Sequence, residues 1–119
     1  MKTHLAMLPS LVLVLAASAS AQVISESQMR AANLARMQAE MINGGLGKYS
    51  PEKCMHEGGG GACMVSETSQ GYRFQFLGGP PGWDVKQEPA SIETTVIVSP
   101  DGRSLTIDYN GPVRRTAKP

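Results

Sequence analysis

Cys54-Met55-His56-Glu57-Gly58-Gly59-Gly60-Gly61-Ala62-Cys63-Met64 divides the chain in two. Before this stretch apolar residues recur at helical spacing, and after it they alternate as in strands. It holds both cysteines, and its glycine run is expected to be flexible enough to let the two thiols meet.

Upstream, Ser25-Glu26-Ser27-Gln28 has the form of a capping box, with Ser25 accepting from an early helical amide and Gln28 reaching back. Ala31, Leu34, Met37 and Met41 follow at three- and four-residue spacing, with Ile42 beside the last, while Arg30, Arg36 and Glu40 fall off the stripe. Asn43-Gly44-Gly45 offers a left-handed terminator, so the helix should end near Ile42. Gly47-Lys48 has the look of a phosphate-binding loop but fails as one. Ile42 stands where its first glycine belongs, Tyr49 replaces the Ser or Thr, and a helix precedes where a strand is required.

Downstream, Tyr72, Phe74 and Phe76 alternate with Arg73 and Gln75, the pattern of a strand with one buried face. Met64 to Glu67 is its expected hairpin partner through Thr68-Ser69-Gln70-Gly71. Gly78-Gly79-Pro80-Pro81-Gly82-Trp83 opens a wide loop to about Ser91, because its prolines lack amide donors and its glycines add freedom. Ile92 to Val98 and Leu105-Ile107-Tyr109 form a second hairpin across Ser99-Pro100-Asp101-Gly102. The expected fold is α+β over residues 22–111: one N-terminal helix packed on a four-stranded antiparallel sheet of two hairpins. Its expected core is Leu34, Met37, Met41, Phe74, Phe76, Val96, Ile97 and Ile107. Residues 112–119, with Arg114, Arg115 and Lys118, are expected as a flexible basic tail.

Residues 1–21 read as a secretory signal peptide. Lys2 gives a positive start, Leu5 to Ala17 an apolar core, and Ala19-Ser20-Ala21 a small-residue cleavage site before Gln22. A membrane anchor is the competing reading, but the run is short and contains Pro9 and Ser10. No cysteine follows for lipid attachment, so no stable anchor is expected after cleavage. Removing 21 of 119 residues leaves 98, enough for one small domain. Lys2 leaves with the leader, so 10 basic residues face 10 acidic ones. A neutral chain without a basic stripe is a poor nucleic-acid binder.

Asn33-Leu34-Ala35-Arg36, Asn43-Gly44-Gly45-Leu46, Tyr49, Cys54-Met55, Cys63, the run from Phe76 to Trp83, and Ser99-Pro100-Asp101-Gly102-Arg103 together resemble a group of small exported proteins of unknown function from marine cyanobacteria. The resemblance implies an exported bacterial protein and carries over no activity, ligand or catalytic residue.

Two cysteines in a chain sent to an oxidising compartment are expected to form one disulfide, Cys54 to Cys63. The alternative is soft-metal binding, since Cys54, Met55, His56, Cys63 and Met64 gather sulfur and imidazole donors suited to copper(I). Catalysis has little to build on. His56 is the histidine left after the leader is removed, and a Cys54 nucleophile two residues away in a glycine loop is poorly placed for activation. Glu57, Glu67, Asp84 and Glu88 form no recognisable pair and read as solvated surface. Trp83, at the end of the Gly-Pro loop, and Tyr72 are candidate binding aromatics; for Trp83 the competing reading is a plug at the edge of the core. The expected function is an exported, non-catalytic binding or structural module without a cofactor. It would meet a protein or cell-envelope partner in the periplasm or outside the cell; the alternative is a periplasmic copper binder.

Overall fold

Ser25 turns the chain into helix α1, Glu26–Ile42, its hydroxyl accepting the Gln28 backbone N–H at 3.1 Å. A computed structural model describes residues 23–115 together with Thr3, Pro9 and Ser10. Apart from those three, the expected signal peptide lies outside the described residues, as do the last four residues of the expected tail. The expected capping box forms only in part: the Gln28 side chain donates instead to the Gly59 carbonyl, 3.2 Å away across the fold. At the other end the amides of Gly44 and Gly45, both at positive φ, return to the carbonyls of Met41 and Glu40, which closes the helix where expected.

Five strands follow: β1 Ser50–Pro51, β2 Met64–Thr68, β3 Gly71–Gly79, β4 Ile92–Val98 and β5 Leu105–Gly111. All pair antiparallel in one sheet, with β4 between β3 and β5, and with β1 and β2 sharing the opposite edge of β3. The expected four strands of two hairpins are therefore part of a larger meander. β3 and β4 pair continuously from Tyr72↔Val98 to Gly78↔Ile92, which fuses the hairpins into one surface. β1 was not expected, since two residues, one a proline, show no periodicity; proline is tolerated there because the strand lies at the edge.

One face of the sheet carries Tyr72, Phe74 and Phe76 against Val98, Val96 and Thr94, and this is the buried face that α1 covers. The helix meets it through Ala31, Ala32, Ala35 and Ala39. Leu34 is partly buried at the margin, whereas Met37 and Met41, expected in the core, are 56% and 67% exposed. The cause is volume. Two phenylalanine rings already fill the space above β3, so a close-packed interior takes the smallest helical side chains opposite them. Ile97, also expected in the core, lies partly buried on the outer face beside Arg73, and Ile107 packs at the inner margin.

The helix orientation makes opposite demands on two neighbouring positions. Ala35→Leu should overpack the interface and lower unfolding free energy by about 1 to 3 kcal/mol. Met37→Gln should change it by no more than about 0.5 kcal/mol. Urea denaturation checks both, and the reverse ranking would turn the helix round.

Candidate functional site

Between β1 and β2 the chain leaves the sheet and returns to the same edge. Glu52 closes the ladder before the excursion, its N–H donating to the Leu77 carbonyl at 2.6 Å and its carboxylate accepting the Leu77 N–H at 2.8 Å. Two short 3₁₀ turns, Lys53–His56 and Gly58–Cys63, make up the loop. Cys54 and Cys63 close it with a disulfide, their Cα atoms 5.6 Å apart and both side chains buried. The glycine run is not the flexible spacer expected from the sequence. Gly60, at φ +86°, lies under the Phe74 ring, and a Cβ there would stand 2.7 Å from a ring carbon. Only glycine meets both requirements.

This packing disperses the candidate copper ligands. Met55 is in the core, Met64 is partly buried, and His56 is exposed. The donors that do converge are a Glu52 oxygen and the Cys54 and Cys63 sulfurs, within 4.8 Å of one another, and the two sulfurs are bonded to each other. A disulfide offers no thiolate, the form that binds metal or attacks an electrophile. Cys54 is thus neither ligand nor nucleophile in this state.

Both candidate binding aromatics are inside. Tyr72 shares its hydroxyl with Ser27 at 2.8 Å, tying β3 to the first turn of α1. Trp83 is 9% exposed, and its indole N–H donates to the Ser50 carbonyl at 2.9 Å. Its ring lies against Gly79 on one face of the sheet end, while the Tyr49 ring lies against Gly78 on the other. A side chain at Gly78 would run into the Tyr49 ring. The two aromatics therefore clamp the Gly78-Gly79 end of β3, with Trp83 buried as a plug at the sheet edge.

Two titratable groups are perturbed by this interior. Burial pushes the Tyr49 phenol up to about 12, with the Glu40 and Glu52 carboxylates adding to the rise and the Thr94 hydroxyl opposing it. The phenol has no well-formed hydrogen bond, and Thr94 itself donates to Asn110 Oδ1 at 2.6 Å. On the outer face Glu93 is 2% exposed. Burial pushes its carboxyl upward, but the backbone amides of Arg115 and Arg114, the Gln75 amide and the Arg115 charge together hold it below the usual range. Those amides stand 2.9 and 3.0 Å from one carboxylate oxygen, so residues 112–115 are strapped to the sheet and do not begin a free tail.

What the fold leaves exposed is the outer side of α1. Leu34 and Met37, with Arg30, Asn33, Gly102 and Arg103, line a groove of about 330 Å³ between the helix and the β4–β5 turn. Met41 continues the apolar line beyond it. Arg30 donates from Nε to the Asp101 carbonyl at 3.0 Å, which holds the guanidinium at the rim. Sequence reasoning took this stripe for core; the alanine stripe beside it was the signal that the helix has two apolar faces. A second hollow, about 270 Å³, lies between Gln70 and the β4–β5 turn, lined mostly by hydroxyl and amide groups. No family model, curated protein or solved structure matches the chain.

Closing a ten-residue loop stabilises the fold by roughly 2.5 to 3 kcal/mol in the chain-entropy model. The double variant Cys54→Ser, Cys63→Ser should lose about 2 to 5 kcal/mol by denaturant titration; a loss below about 1 kcal/mol would assign the loop's stability to its glycine packing alone.

The phenol carries a second expectation. Because the folded protein keeps Tyr49 protonated above the ordinary value of 10, the unfolded chain releases that proton first. The neutral phenol's contribution is therefore complete below pH 10 and is lost as pH rises from 10 towards about 12. Tyr49→Phe should abolish that alkaline loss and remove the highest step from the tyrosinate absorbance titration. An unchanged titration would place the perturbed phenol elsewhere.

Proposed function

We propose that the protein is exported and acts as a non-catalytic binding module, the disulfide-stapled sheet serving as scaffold and the outer face of α1 as contact surface. The observation that carries this reading is the exposure of Met37 and Met41, continuous with partly buried Leu34 and the Arg30 and Arg103 rim, in a domain that buries its tryptophan and Tyr72. A contiguous apolar patch with a polar rim marks an interaction site more often than an accident of composition. Of the perturbed groups, which in an enzyme would be sought in an open cleft, Tyr49 lies beneath β3 and Glu93 beneath the strap, while the exposed Asp101 carboxylate is engaged by the Ser99 hydroxyl and the Arg103 amide of its own turn.

Export is supported by the leader-like sequence at residues 1–21, by the resemblance to exported cyanobacterial proteins, and by the disulfide, a bond that persists in oxidising compartments. No helix among the described residues is long and apolar enough to cross a membrane. The periplasm or the cell exterior is the proposed location.

Intact mass of the protein expressed from its full sequence in a bacterial host tests this. The expected product is a chain starting at Gln22 in the exported fraction, without alkylatable thiols under denaturing, non-reducing conditions. Residues 1–21 retained in a membrane pellet, or two free thiols, would overturn export.

A further inference from the structure

We propose that the outer face of α1 receives an amphipathic helical segment of another polypeptide that is acidic at one end, an inference that rests on reading this face as the binding surface. From Arg30 to Met41 the stripe runs about eleven residues, roughly 16 Å along the helix axis, which is the length of a three-turn helix. The groove between Leu34, Met37 and Gly102 is walled on two sides, by α1 and by the turn. It suits side chains presented by a larger partner better than a small molecule, which needs most of its surface covered. Methionine at the centre favours such a contact, since its unbranched thioether adapts to varied apolar surfaces.

Charge narrows the choice. Arg30 and Arg103 stand at one end of the groove and no carboxylate lines it. The nearby Asp101 carboxylate accepts from the Ser99 hydroxyl and the Arg103 amide and lies within reach of both guanidinium charges, so it offsets part of them and leaves this end net positive. An antiparallel second copy would bring its Glu40 towards the arginines, but Glu40 is already paired with Arg36 and its side chain is only 14% exposed. A parallel copy would set arginine against arginine. A bilayer surface is met by clusters of about four to eight basic residues, and here the groove has two arginines, Arg30 on a helix that also carries Glu26 and Glu40, and Arg103 on the β4–β5 turn. An acidic end on a foreign helix remains as the complement.

The probes are two synthetic peptides of about 14 residues with the same leucine stripe, one ending in two glutamates and the other in two lysines. Binding is read from the ¹³C-labelled methyl signals of Met37 and Met41 in the full chain. The glutamate peptide should bind about tenfold or more tightly than the lysine peptide at low salt. Arg30→Gln with Arg103→Gln should erase that difference, and Met37→Gln with Met41→Gln should weaken both peptides while circular dichroism and melting temperature stay unchanged. Equal binding of the two peptides would overturn the acidic partner and leave the face as a binding surface. Undisturbed methyl signals with either peptide to about 1 mM would overturn the face itself. Stronger shifts with phosphatidylglycerol vesicles, or a dimer in sedimentation that the methionine variants dissolve, would replace the proposed partner with a membrane or a second copy.

Discussion

The Phe74 ring sets the spacing of this molecule. On the inner face of β3 it is covered by Gly60 of the disulfide-closed loop, and Ala32 of the helix stands beside that contact. Nothing larger fits at Gly60, and a ring fully withdrawn from water contributes about 1.5 to 3 kcal/mol of transfer free energy. The helix can approach because its inward face is alanine, and the loop because its backbone turns through left-handed glycines. The disulfide then holds in register a loop whose own sequence has little preference for any one shape. Local conformation, core volume and covalent closure thus satisfy one geometric condition.

That condition explains which parts of the fold were legible in the sequence. Ser25, Asn43-Gly44-Gly45, the alternation through Tyr72, Phe74 and Phe76, and the Ser99 to Gly102 turn act locally, and each was read correctly. The inward face of α1 was misread because hydrophobicity alone ranks Leu34, Met37 and Met41 above alanine. What decides the matter is the volume left by residues some forty positions away. β1 is too short to show a period, and its pairing depends on Gly78 and Gly79 being bare. The candidate site was invisible for the same reason as the core error: residues assigned to the interior cannot be suspected of meeting a partner.

Glu93 shows a different kind of concealment. In the sequence it is one residue of an alternating strand, on the face opposite Ile92, Thr94, Val96 and Val98. In the structure the chain returns across that face, and the carboxylate accepts two successive backbone amides, which needs no particular side chains at 114 and 115. The flanking arginines add contacts at 3.8 and 3.9 Å, one of them also stacking over Tyr109. These are exposed cations and contribute little individually. A sequence pattern cannot announce a partner that is only main chain.

The register break between Thr95 and Val96 makes β5 serve two layers at once. Before the break Leu105 and Ile107 face the helix; Asp108 is the unpaired extra residue, and beyond it Tyr109 lies opposite outward-facing Thr95 and Asn110 opposite inward-facing Thr94. A regular seven-residue strand, with Asp108 paired opposite Thr95, would send Tyr109 inward and turn Asn110 outward, losing the amide hydrogen bonds that Asn110 exchanges with Asn43 at the end of α1. β5 is also the last strand of the sheet, with one row of main-chain donors and acceptors facing outward. A bulge twists such a row and spoils it as a template for another strand, while the Asp108 carboxylate at its apex reaches across the outer face to Arg73 at 3.0 Å. The same inserted residue that fastens the helix therefore guards the open border of the sheet against runaway stacking of neighbouring molecules.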